Sequence, residues 1–115
     1  MRDFPHPPTA ELDLPTVMHA LSDPARLAIV GATDAATRGP DGADDVACGS
    51  IELPLSPATV SHHLRVLREA GVTRTRVDGR LKYISLRRDD LGERFPGLLD
   101  GVLASIAAQR AKAPA

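Results

Sequence analysis

A chain of 115 residues is one domain's worth, and a domain of that size buries only about two thirds of the surface its unfolded form exposes, so self-association would help it. A single Cys excludes an internal disulfide, and no run approaches the ~20 apolar residues of a membrane span. The N-terminus has no apolar run behind its one Arg, so a soluble, cytoplasmic protein is expected, and the net charge of −1 hides a strong segregation of sign.

Residues 1–11 contain Pro5, Pro7 and Pro8 and are expected to form a flexible, extended arm preceding a single domain over 12–113. Helical patterning starts at Leu14: Pro15 suits a first turn, and Val17, Met18 and Leu21 share an apolar face. Ser22-Asp23-Pro24 stops that helix and starts another, with Asp23 as N-cap and Pro24 at the first helical position. Leu27, Ala28, Val30, Gly31, Ala32 and Ala35 make the second helix apolar and narrow, suited to the centre of the core. Composition makes residues 38–45 a loop. Residues 45–55 stand where a further helix would support the next one, but Gly49, Ser50 and Pro54 predict something short or irregular.

Ser56 caps the next helix, Pro57 opens it and Gly71 ends it. Val60, Leu64 and Leu67 form its buried face, with His63 at the edge, while Ala58, Ser61, His62, Arg65 and Glu69 lie opposite and Arg68 flanks them. Two strands follow, 72–77 and 80–86, with Asp78-Gly79 read as a type I′ turn. Val77, Leu81, Tyr83 and Ile84 are expected to pack this hairpin, and Arg74, Arg76, Arg80 and Lys82 to project from it. Between residues 59 and 88 there are eight cations against two anions, a net of +6, while the segments on either side are acidic. Segregation of that kind marks a face for an anionic partner. Leu91 and Phe95 then belong to a short turn that Pro96 interrupts. Leu98, Leu99, Val102, Leu103, Ile106 and Ala107 continue as a terminal helix to about Ala111, positioned to serve a dimer interface.

This order predicts a fold that is mainly α with a small β-hairpin, a winged helix-turn-helix. LSDPARLAIV, SPATVSHHLRVLREAGV and RVDGRLKYISL resemble the ArsR-type family of small bacterial transcriptional repressors over roughly residues 14–90. The resemblance implies a homodimer paired through terminal helices, with recognition helices in successive major grooves and wings on the flanking DNA. A two-fold dimer of that form places its reading helices about 34 Å apart, so the double-stranded DNA site should be an inverted repeat. Arg65, with Ser61 and His62, are the candidate base-edge contacts, and Ser56, Thr59, His63, Arg76 and Arg80 the candidate backbone contacts.

Relatives that sense metals use paired Cys or an Asp/His set. Here Cys48 is alone, residues 89–115 hold neither His nor Cys, and the adjacent His62 and His63 point to different faces, so no transition-metal site and no cofactor are expected. Cys48 reads as a small apolar side chain; the alternative is a redox handle for the repressor. A small organic effector is a further possibility, as is a winged-helix module for protein interaction, against which the +6 segment argues. No Gly-rich phosphate loop or nucleophile arrangement is present in the sequence, so an enzyme is not expected.

Overall fold

The computed structural model describes residues 4–38 and 44–111; most of the loop expected over 38–45 lies outside them. The described elements are α1 (Leu14–Ala20), α2 (Pro24–Thr37), β1 (Val46–Ala47), α3 (Pro57–Ala70), β2 (Thr73–Asp78), β3 (Leu81–Leu86), α4 (Arg88–Arg94) and α5 (Leu98–Ala111). The three strands form one antiparallel sheet in the order β1-β3-β2. The arrangement is a winged helix-turn-helix.

The helix starts follow the capping chemistry. Asp13 accepts from the Thr16 amide at α1, Asp23 from the Ala25 and Arg26 amides at α2, and Ser56 from the Thr59 amide at α3, with Pro in the first turn each time. Gly71 ends α3 at φ 86°: its N–H reaches the Arg68 carbonyl and the Val72 N–H the Leu67 carbonyl, both at 3.0 Å. This Schellman arrangement needs a left-handed residue at its turn. Val17, Ile29, Val30, Leu67, Val72, Ile84 and Leu91 form the solvent-free centre, joined by Leu12 ahead of α1 and by Leu99 and Leu103 of α5.

Four features depart from the periodicity. β1 is added to the hairpin, Val46 opposite Ile84 and Ala47 opposite Tyr83. Beyond it no α-helix forms; a single 3₁₀ turn, Cys48–Ser50, leads into irregular chain. The expectation of a short or irregular segment holds there. The hairpin turn sits one residue later than expected, because Asp78 stays in the strand opposite Leu81. Within the turn Gly79 takes positive φ, 62°, and Arg80 does not, so the loop is Gly79-Arg80, the Gly-first pattern of a type II′ turn rather than type I′. This register puts Arg76 opposite Tyr83. Leu81, expected to pack, is 56 % exposed at the wing tip, and Met18 is 51 % exposed on α1.

Residues 4–11 lie extended across the sheet and the end of α3, with a short 3₁₀ turn at Thr9–Glu11. The His6 Nε2 accepts the Thr75 amide at 3.0 Å, the Pro7 carbonyl accepts from Arg87 at 2.7 Å, and the Thr9 hydroxyl donates to Asp90 at 2.6 Å. Leu12 follows into the core, its carbonyl held by Arg94 at 2.8 Å.

Candidate nucleic-acid interface

The outer face of α3 is polar and small at its start. Ser61, His62 and Arg65 are all exposed, with Arg65 Nη2 and His62 Nδ1 3.4 Å apart along the helix surface. A helix presented with no larger side chain in front of these groups can approach a groove closely, and an exposed guanidinium there offers the donor fork that pairs with guanine. Ser56 and Thr59 share a hydroxyl contact of 2.8 Å at the helix start, so their oxygens serve the cap first and face solvent beyond it.

His63 is turned the other way. Its Nδ1 lies 3.2 Å from Arg26 Nη1 and 3.9 Å from Asp23 Oδ2, with 12 % of its side chain exposed. The ring, expected at the DNA backbone, lies in the seam with α2: one residue further round the helix, 100°, carries it away from the outer face. A guanidinium only donates, so a hydrogen bond between the two requires Nδ1 to be the acceptor. Arg26 is itself buried and also donates to the Ala20 carbonyl at 2.7 Å. It therefore joins the end of α1, the start of α2 and the middle of α3.

The wing carries the remaining candidates. Arg80 is exposed in the turn itself. Arg76 lies flat along the ribbon: its Nε donates to Asp45 at 2.8 Å, and its guanidinium stacks 4.3 Å from the Tyr83 ring centroid. The hydrogen bond to Asp45 raises its pKa further above the ordinary arginine value. Arg74 is drawn to Asp90 at 3.4 Å. Sequence periodicity missed Asp45 as the partner of Arg76, since the two are joined only through the unpredicted strand β1.

Cys48 is half-buried below α3, and burial raises its thiol pKa, with nearby Lys82 opposing. A protonated thiol is a poor nucleophile. Among the described residues no three His, Cys, Asp or Glu side chains converge as a metal-binding group, and no helix is long and apolar enough to cross a membrane.

On the opposite side, Met18, Leu21 and Leu27 face Leu98, Val102 and Ile106 across a groove of about 560 Å³. Leu14, four residues before Met18, adds a 45 % exposed side chain to α1. Apolar side chains are thus left uncovered on α1 and in the groove beside α5.

A family profile described as a helix-turn-helix domain matches residues 21–76. An uncharacterised HTH-type transcriptional regulator of Bacillus subtilis, YceK, is 37 % identical over 86 residues, covering 73 % of this chain and 80 % of that protein. Among solved structures, Mycobacterium tuberculosis Rv0081 superposes with a TM-score of 0.57 at 27 % identity, over 91 % of this chain and 98 % of that one. An ArsR-like transcriptional regulator from Rhodococcus sp. RHA1 gives a TM-score of 0.53 at 24 % identity, over 86 % and 83 % of the two chains, a likeness of fold.

Proposed function

Because the chain belongs to a helix-turn-helix family of transcriptional regulators, we propose that it is a repressor of the ArsR type that binds an inverted-repeat operator as a homodimer. The observation that carries this reading is the pairing of an unobstructed polar helix face, Ser61, His62 and Arg65, with a basic wing whose Arg80 stands free at the tip. In it, Arg65 reads a base edge with Ser61 and His62 beside it, and Arg80, Arg76, Ser56 and Thr59 hold the phosphate backbone. His63 contributes by fixing the rotation of α3 against Arg26. The apolar groove of Met18, Leu21, Leu98, Val102 and Ile106 supports a two-fold dimer through α1 and α5, since a chain this small gains core by covering it. Repression needs only occlusion of a promoter.

The test is selection of bound duplexes from a random pool by the purified protein at ~150 mM salt, where nonspecific contacts are weakened. An inverted repeat with half-sites one helical turn apart is the expected product. On that site Arg80→Ala weakens binding to all sequences and lowers the salt slope by about one unit, whereas Arg65→Ala costs ~1–3 kcal/mol and relaxes one base position. An Arg65→Ala protein with unchanged sequence preference refutes the base-reading role.

A further inference from the structure

The irregular chain after β1 leaves part of α3 uncovered. Val60 and Leu64, expected on the buried face of α3, have no helix opposite them; they remain half-buried and face a cavity of about 440 Å³ whose apolar walls also include Ile51, Leu53 and Leu55. That volume lies in the range of small-molecule sites. At one side stand two cations, Arg68 and Lys82. Arg68 is the unusual one: its Nε is buried with no hydrogen-bond partner, and its guanidinium is stacked 4.2 Å from the Phe4 ring centroid. Lys82 Nζ sits 5.1 Å from the same ring. A guanidinium edge withdrawn from water and left unpaired is costly unless something accepts from it. The one carboxylate on the cavity wall, Glu52, is exposed and forms no ion pair with either cation among the described residues.

We propose that this cavity binds an organic monoanion, a carboxylate on an apolar body of about a dozen heavy atoms, with the carboxylate on Arg68 and Lys82 and the body against Ile51, Leu53, Val60 and Leu64. Charge and shape agree: two cations without an ion-pair partner among the described residues stand at the edge of an apolar hollow, and Phe4 stacks against both. Phe4, Ser61, Arg68 and Lys82 also line a second depression of about 420 Å³, whose wall includes His62 and Arg65. The ligand and the outer face of α3 therefore share a wall. Occupancy offsets one of the two positive charges beside the reading residues and weakens DNA binding, a consequence that rests on the operator reading above. The ligand site itself does not.

The experiment is calorimetric titration of the full chain, without DNA, using 4-phenylbutyrate and its uncharged counterpart 4-phenylbutanol. The expected result is saturable binding of the carboxylate at one per chain, with the alcohol weaker by about 10-fold or more. Arg68→Met and Lys82→Met should each lose about 10-fold or more in carboxylate affinity. Lys82 is exposed, so its variant tests the site even if the Arg68 variant proves unstable. Absence of saturable binding, equal binding of acid and alcohol, or full retention of affinity by the Lys82→Met protein overturns the proposal. Repeating the titration of operator DNA with and without 4-phenylbutyrate reads the coupling separately, so a protein that binds the acid but no DNA sinks the operator reading and leaves the pocket standing.

Discussion

Replacing Gly71 with alanine places a methyl group where the structure has no room and where the backbone disfavours one. At φ 86° the residue sits in the left-handed region, which costs a non-glycine residue about 1 kcal/mol. The added Cβ would stand 2.0 Å from Leu12 Cδ2 and 3.5 Å from Pro7 Cγ. Leu12 is 2 % exposed, so it cannot swing into solvent and must repack, an overpacking cost of about 1–3 kcal/mol. The expected total is about 2–4 kcal/mol, or roughly 8–16 °C in Tm for a domain of this size. A double-mutant cycle separates the two causes. Leu12→Ala alone should cost about 2–4 kcal/mol for the cavity it leaves. In that background Gly71→Ala should cost only the backbone strain, about 1 kcal/mol, giving a coupling of about 1–3 kcal/mol. Urea unfolding of the four proteins at one fixed protein concentration measures this. Additivity within about 0.5 kcal/mol would refute the packing of residues 7–12 against the exit of α3.

The same arm predicts a pH effect. The Thr9 hydroxyl, first, and then Arg87 hold the Asp90 carboxyl below its ordinary pKa. The unfolded chain thus binds that proton more readily, and the stabilisation is complete above the ordinary carboxylate value and fades as pH falls through the depressed one. Asp90→Asn should lower stability by about 2–3 kcal/mol at pH 7, because Arg87 is buried against it; the gap from the parent should narrow below about pH 4 in thermal melts. A gap that is constant with pH would contradict the assignment. On the wing, Asp45→Asn frees Arg76 from its carboxylate partner and should tighten operator binding roughly two- to five-fold, an exposed bridge being a weak restraint. Unchanged affinity in a fluorescence-anisotropy titration would show that Arg76 does not reach the phosphates.

The caps made the helices legible. Asp23 with Pro24 and Ser56 with Pro57 announce helix starts by satisfying amides that the helix leaves open, and Gly71 ends α3 because its turn needs positive φ. The exposed polar face of α3, Ser61, His62 and Arg65, followed from helical geometry alone. His63 did not: its position at the edge of the buried face was visible, but only the nearby Arg26 decides which way an edge residue turns. The wing turn was misplaced by one residue because Asp-Gly fits two registers, and the pairing with β1 and the stacking of Arg76 on Tyr83 belong to the later one. Residues 4–9 reach partners up to 81 positions away. Their contacts leave no periodic trace, since a proline-rich extended segment reads alike whether docked or free.

The knot around Arg26 has a mechanical consequence. One buried guanidinium ties the Ala20 carbonyl at the end of α1 to His63 in the middle of α3, a link that resists rotation of one helix against the other. In a dimer closed through α1 and α5, the angle between the two reading helices is then set at the subunit boundary. Any rocking of one protomer against the other becomes a change in the distance between half-sites.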